Sequence, residues 1–351
     1  MKGSERLSAP PSEAEVRVEL TDEEALEERT WLRRLMGSNV WIFLILGGIC
    51  LIFALLSFDS FASATNIRNI TVDAAVLLVL AVGSTFVIVT AGIDLSVGSV
   101  LVFSGVVSAK LMEAVGGDST GVILLGLGAA LASGFAWGLF NGIIIAKLKV
   151  PALIVTLGSF GAALGFAQLI TDGVDVRDVP FPLVDSVGTG LLFGEIPYLV
   201  LIAGAVALVF GVVLALTRFG RHTYAVGSNE EAARRAGINV DRHLVKVYVL
   251  AGTLSGLAGF MSLARFATTT IGGHSTDNLQ AIAAVVIGGT SLFGGIGTVL
   301  GTVAGVFIPA VLENGFVILG VQPFWQEVAV GGVLILAVYL DQLRRRARYR
   351  E

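Results

Sequence analysis

The sequence predicts an all-α, polytopic transmembrane bundle of about ten spans, with broken helices and two possible pseudo-repeats. Three observations carry this expectation. Of 351 residues, 55% are hydrophobic and 14% charged, where a soluble domain carries about 25% charged residues. Apolar runs of spanning length, about 20 residues each, follow one another through the chain. Glycine is frequent, 44 of 351, as in membrane helices whose backbones approach closely.

Residues 1–39 are polar and form a cytoplasmic tail in this reading. Met1 to Glu19 has the composition of a disordered segment. Thr21 and Glu24 make a capping box for a short amphipathic helix. Leu26, Trp31, Leu32, Leu35 and Met36 suit an inner-leaflet surface, with Arg29, Arg33 and Arg34 toward headgroups. A plain juxtamembrane linker fits the same residues. No cleavable signal peptide is expected, because the first apolar run starts near Val40 and no small-residue cleavage site follows it. Cys50, inside that run, is the one cysteine, so no intrachain disulfide forms.

The transmembrane body, residues 40–341, divides into runs at 40–58, 72–90, 97–114, 121–146, 151–171, 196–217, 244–267, 279–293, 297–318 and 322–341. A basic tail, 342–351, closes the chain. Ten spans put both termini on one side. With that side cytoplasmic, 19 of the 23 Lys and Arg lie inside. Only Arg68, Lys110, Arg177 and Arg265 lie outside, as the positive-inside rule requires. The loop after the fifth span is acidic, with Asp172, Asp175, Asp178, Asp185 and Glu195.

The stretch TAGIDLSVGSV, Thr90 to Val100, interrupts a span with an aspartate, a serine and glycines. An ionisable group at membrane depth marks a functional site by default. Non-helical backbone there is tolerated only inside protein or along a wet cavity. Gly92, Asp94, Ser96 and Gly98 are therefore candidates for a translocation pathway or hinge. For Asp94, capping the N–H groups of a half-helix that starts near Leu95 is preferred over direct contact with solute. The stretch has an echo 203 residues on. Gly92, Ile93, Gly98, Ser99 and Val100 match Gly295, Ile296, Gly301, Thr302 and Val303, four of them identically. Thr290, Ser291, Gly294 and Gly295 join the candidate pathway on that basis. For Asn141, Thr156 and Gln168 an interhelical hydrogen bond is preferred, and Glu313 and Glu327 read as interfacial residues.

The loop 218–243, after the sixth span, is long and charged. Asn229 is a good N-cap, and Glu230 and Glu231 fall in the first turn, where they suit the helix dipole. Ala232, Ala233 and Arg234 continue the helix, and Gly237 supplies a left-handed C-cap. A solvated linker needs no capped helix, whereas a docking surface does.

EAARRAG, Glu231 to Gly237, resembles the EAA-x-x-x-G motif of ABC importer permeases. The stretch GIDLSVGS at Gly92–Ser99, YAVGSNEEAARRAGINV at Tyr224–Val240 and AIAAVVIGGTSLFGG at Ala281–Gly295 resemble the ribose, xylose and galactose permeases of the branched-chain amino acid/sugar permease family. The resemblance runs from about residue 62 to 340. The importer motif usually continues with a proline-bearing element. At that spacing this chain has Val247-Tyr248-Val249-Leu250, which departs from the maltose-type pattern.

The resemblance implies the permease subunit of an ATP-driven monosaccharide importer in the bacterial cytoplasmic membrane. It implies two ATPase domains docked on Asn229–Gly237, an extracytoplasmic sugar-binding protein, and a second permease chain. Substrates in the same family could equally be a nucleoside, a polyol or a signalling sugar. The chain is read as a transport subunit and not an enzyme. It has no P-loop for ATP, no cofactor motif, no metal-ligand cluster, and no nucleic-acid partner is expected. His222, His243 and His274 read as solvated loop residues. An ion-coupled secondary transporter would need paired carboxylates within the spans, and a membrane-embedded enzyme would need a catalytic constellation there.

Overall fold

A computed structural model describes residues 40–322 except Ser275, and six positions between 325 and 339. The expected N-terminal amphipathic helix, Glu327 and the basic C-terminal tail lie outside the described residues, as does most of the 322–341 run.

The fold is almost wholly helical. In chain order the helices are α1 (Val40–Leu56), α2 (Phe58–Phe61), α3 (Ala64–Val89), α4 (Val97–Val115), α5 (Thr120–Lys147) and α6 (Ala152–Thr171). After a short helix α7 (Phe181–Leu183), a π-turn and a two-stranded hairpin come α8 (Tyr198–Leu216), α9 (Arg218–Ser228) and α10 (Glu230–Arg235). The series closes with α11 (Val240–Phe266), α12 (Asp277–Ile287) and α13 (Val299–Ile318). Seven of these, α3, α4, α5, α6, α8, α11 and α13, are long and apolar enough to cross a membrane. The chain is thus a multi-pass membrane protein.

Two runs expected to span are shorter among the described residues. Helix α1 has 17 residues. Helix α12 has 11, which is about 16 Å, roughly half the hydrocarbon core. The reason lies in the sequence after Ile287, GGTSLFGGIGT, whose glycines at 289, 294 and 295 take positive φ. In the other direction α3 starts at Ala64, eight residues before the apolar run, because Ser63 caps it by accepting from the Asn66 N–H.

Helices α3 and α11 form the buried centre, with Val79, Leu80, Phe86, Val247, Tyr248 and Ala258 all under 2% exposed. Helix α5 lies against α11 along small residues. A Cβ added at Gly134 or Gly138 would meet the α11 backbone at Gly252 or Tyr248 inside contact distance. Such close approach is the membrane use of glycine at four-residue spacing. Helices α5, α6 and α8 turn large apolar side chains outward, among them Phe140, Leu157, Phe166 and Leu208. That suits lipid or another apolar partner.

Candidate functional site: two chain breaks joined to the α9–α10 elbow

Helix α3 ends at Val89 with two closing hydrogen bonds, Ala91 N–H to the Ile88 carbonyl and Gly92 N–H to the Val87 carbonyl, at 2.9 and 3.0 Å. The motif needs a left-handed residue, and Ala91 supplies it at φ +62°. The chain then climbs beside α11. Gly92 packs on Tyr248, about 12 Å along α11 from its start. Helix α4 begins only at Val97, and its Leu101 and Gly105 already meet Gly259 of α11. The break therefore lies within the bundle.

Asp94 is 4% exposed. Its Oδ1 accepts the Ser96 N–H at 2.8 Å and the Ser96 hydroxyl at 2.6 Å. The Ser96 Oγ accepts from Asn141 Nδ2 at 2.9 Å, and Asn141 Oδ1 accepts from the Ser159 hydroxyl at 2.5 Å. Every bond of this buried chain points the same way, from Ser159 on α6 through Asn141 on α5 to Asp94. Asp94 Oδ1 only accepts here and so terminates the chain. Thr156 of α6 reaches the Ile93 carbonyl at 3.3 Å, and Asn278 of α12 donates to the Leu95 carbonyl at 3.0 Å. Asp94 thus acts two residues ahead of the α4 N-cap, Ser96, rather than at a helix starting near Leu95.

The second break, 288–298, meets the first. Gly295 N–H caps the Val89 carbonyl at 2.9 Å, satisfying a terminal acceptor of α3 that would otherwise be an orphan. Gly294 has φ +81° and lies 203 residues after Ala91, the spacing of the sequence echo. The two are in contact, since a Cβ at Gly294 would meet the Ala91 backbone and side chain. Thr290 is 1% exposed and its hydroxyl has no partner among the described residues. Ser291 Oγ accepts the Phe293 N–H at 3.3 Å.

Both breaks rest on α9. A Cβ at Gly227 would strike the Val89 carbonyl and the Gly295 amide. Tyr224 donates its hydroxyl to the Gly297 carbonyl at 2.6 Å, and burial raises its pKa, which keeps the donor proton in place. One residue, Asn229, separates α9 from α10. Its Oδ1 accepts the Ala232 N–H at 2.9 Å. Gly237, φ +86°, closes α10 with its N–H on the Arg234 carbonyl and the Ile238 N–H on the Ala233 carbonyl. Ala233 is buried on Val226 and Val240. Glu230 pairs with Arg234 at 2.8 Å and Glu231 with Arg235. Glu231 and Arg235 are the most exposed pair, whereas Arg234 also bonds Asp241 of α11.

The predicted pathway residues lie in the two crossed breaks, except Gly98, which sits in the first turn of α4 against His274 and Asn278, and the predicted coupling residues lie in the elbow beneath the breaks. Three expectations are corrected. His222 lies in α9 and His243 in α11, where the His243 ring is buried and bonds Thr223 at 3.0 Å. His274, also buried, bonds Ser262 and Asp277, each at 2.7 Å. Gln168 makes no side-chain hydrogen bond among the described residues and is exposed.

Two cavities lie away from the breaks themselves. One, of about 1030 Å³ on the α4–α5–α6 face, is lined by Phe103, Trp137, Phe140 and Phe166 and touches Ser159. The other, of about 760 Å³ at the end opposite α10, is lined by Asp73, Arg265, His274, Asp277, Gln280 and Glu313. Arg265 pairs there with Asp73 and lies 4.8 Å over the Phe266 ring. The sequence reading missed this polar cavity. The only signal was ionisable residues near the ends of four separate runs.

Residues 66–338 match the family described as branched-chain amino acid transport system / permease component. The D-allose transport system permease protein of Escherichia coli K12 is 36% identical over 91% of this chain and 96% of its own. The ribose import permease protein of the same organism is 39% identical over 82% and 88%. The L-arabinose ABC transporter permease protein of Azospirillum brasilense is 35% identical over 89% and 91%. No solved structure matches the chain. On a family match that takes in both breaks and the elbow, the chain belongs to the branched-chain amino acid transport system / permease component family.

Proposed function

We propose that this chain is the membrane-spanning permease subunit of an ATP-driven importer, and that its cargo is a monosaccharide of the ribose, allose or arabinose kind. The carrying observation is the continuity from α10 through α9 to both breaks. A short, capped, exposed helix hangs from a second helix, and that helix supports the two points where the spans are interrupted. Such a lever passes a push from a partner into the membrane. The relatives' names supply the cargo class and the coupling to ATP.

In this reading α10 docks on a separate ATPase, which binds and hydrolyses ATP, as two subunits or one double subunit. An extracytoplasmic binding protein docks at the opposite end. It biases the equilibrium by binding one state better than the other. A second permease chain packs on the α5–α6 face, where Phe140, Leu157 and Phe166 are exposed, and lipid surrounds the rest. The pathway then runs between the chains, beside Ser159 and the polar chain that ends on Asp94. Gly92, Asp94, Ser96, Gly98, Thr290, Ser291, Gly294 and Gly295 form its hinge. The chain crosses about ten times, with α12 and its glycine-rich loop together making one crossing, and both termini are cytoplasmic. Ion coupling is disfavoured, because Asp94 has its hydrogen bonds from Ser96 and none with a second carboxylate among the described residues.

The test is reconstitution in vesicles with the ATPase and the binding protein. Uptake of tritiated ribose, allose or arabinose should follow ATP and ignore an imposed proton gradient. Uptake that follows the gradient with ATP clamped would overturn the importer reading.

A further inference from the structure

Asp241 stands where three elements meet. It lies in the first turn of α11. A single oxygen, Oδ1, takes Lys149 Nζ at 2.6 Å and a guanidinium N–H of Arg234. Lys149 belongs to the turn between α5 and α6, and Arg234 to α10. One carboxylate therefore ties the elbow to the foot of α6. Lys149 itself sits at φ +59°, a backbone that a lysine rarely adopts.

Side chains this exposed, 56% for Lys149 and 33% for Asp241, add little to stability as ion pairs. Their larger consequence is positional. Seven and ten residues after Lys149, α6 carries Thr156, which holds the Ile93 carbonyl, and Ser159, which starts the polar chain to Asp94. A helix moves as a rigid element, so a displacement of its foot reaches both contacts with the break. Helix α9 reaches the same break from the other side, through Gly227 and Tyr224.

We propose that Asp241 is a positioning residue for transport, which keeps α10 and α6 in register so that movement of α10 reaches Thr156, Ser159 and the α3–α4 break. This rests on α10 being the ATPase-docking helix. The permease, ATPase and binding protein are reconstituted with Asp241→Asn, Lys149→Gln, the double variant, or Lys149→Arg. Uptake of the tritiated pentose or hexose and ATP hydrolysis are measured together. Each neutral single variant should lower uptake per ATP about fivefold or more, the lower range of coupling between distinct sites. The double variant should be no worse than Asp241→Asn alone, since Asp241→Asn already loses the Lys149 link along with that to Arg234. Lys149→Arg should restore the ratio, and the ATPase should co-purify in normal yield throughout.

An unchanged ratio in both single variants, or additive losses in the double, overturns the proposal. So does loss of the ATPase from the Asp241→Asn complex, which would make Asp241 a docking residue. Failure of the docking reading shows separately. There Glu231→Arg combined with Arg235→Glu would leave the ATPase bound.

Discussion

At the scale of the residue, the carboxylate of Asp94 does the work of a turn. It holds Ser96 by backbone and hydroxyl, and it terminates a chain of two further donors, Asn141 and Ser159. Asp94→Asn keeps an oxygen for both Ser96 bonds, so much of the transport rate should remain. Asp94→Leu removes that acceptor and leaves a buried N–H and a buried hydroxyl unpaired, at a cost of about 1–3 kcal/mol for each. Uptake in cells and membrane yield of the two variants check this. Equal loss in Asn and Leu would show that the charge itself, and not the cap, is needed. The break around Asp94 was legible in the sequence, because a lone carboxylate between two glycines interrupts an otherwise apolar run. Its partners were not. Asn141 lies 45 residues from Ser96 and Ser159 a further 18 from Asn141, and no local period links three separate helices.

At the scale of the element, α10 follows from its sequence almost residue by residue. The Asn229 cap, the acidic first turn, the basic last turn and the Gly237 terminus all appear where their chemistry puts them. Gly237 meets no atom within 4 Å of an added Cβ, so only its backbone conformation constrains the side chain. Gly237→Val therefore should strain the terminus by about 1–2 kcal/mol and weaken ATPase co-purification, whereas Gly237→Asn, which tolerates the left-handed region, should keep it. Pull-down of the ATPase from membranes expressing each variant at equal level measures this. Equal recovery with Val and Asn would remove the C-cap from the docking account. Helix α9 was not legible. Its buried face is Gly220, Thr223, Val226 and Gly227, small or polar residues covered by separate parts of the chain: Leu214, His243, the Ala233–Val240 cluster and the two breaks in turn. An apolar-period reading sees only a charged loop there. Helix α12 was misjudged for the opposite reason, because its apolar run continues past Ile287 into glycines that cannot sustain a helix.

At the scale of the whole molecule, orientation depends on charge and the number of crossings depends on how the breaks are counted. The end that carries α9 and α10 also gathers Lys147, Lys149, Arg218, Arg221, Arg242 and Lys246. The opposite end carries the acidic segment between α6 and α8. That split, through the preference of Lys and Arg for the cytoplasmic side, is the ground for the proposal that α10 lies inside. It requires α12 and its loop to complete a crossing together, since α12 alone spans about half of the hydrocarbon core. Ser228, at the α9–α10 joint, and Ser186, in the acidic segment, are both exposed. In a Cys50→Ser background, cysteines introduced by Ser228→Cys and Ser186→Cys report the two sides directly. With an impermeant maleimide on intact cells, Ser186→Cys should label at once and Ser228→Cys only after the membrane is opened. Labelling of Ser228→Cys alone would invert the molecule, and it would move the proposed ATPase contact to the wrong side of the membrane. Labelling of both in intact cells would mean an odd number of crossings between Ser186 and Ser228 does not occur, and α8, 19 residues long and apolar throughout, would have to lie outside the bilayer.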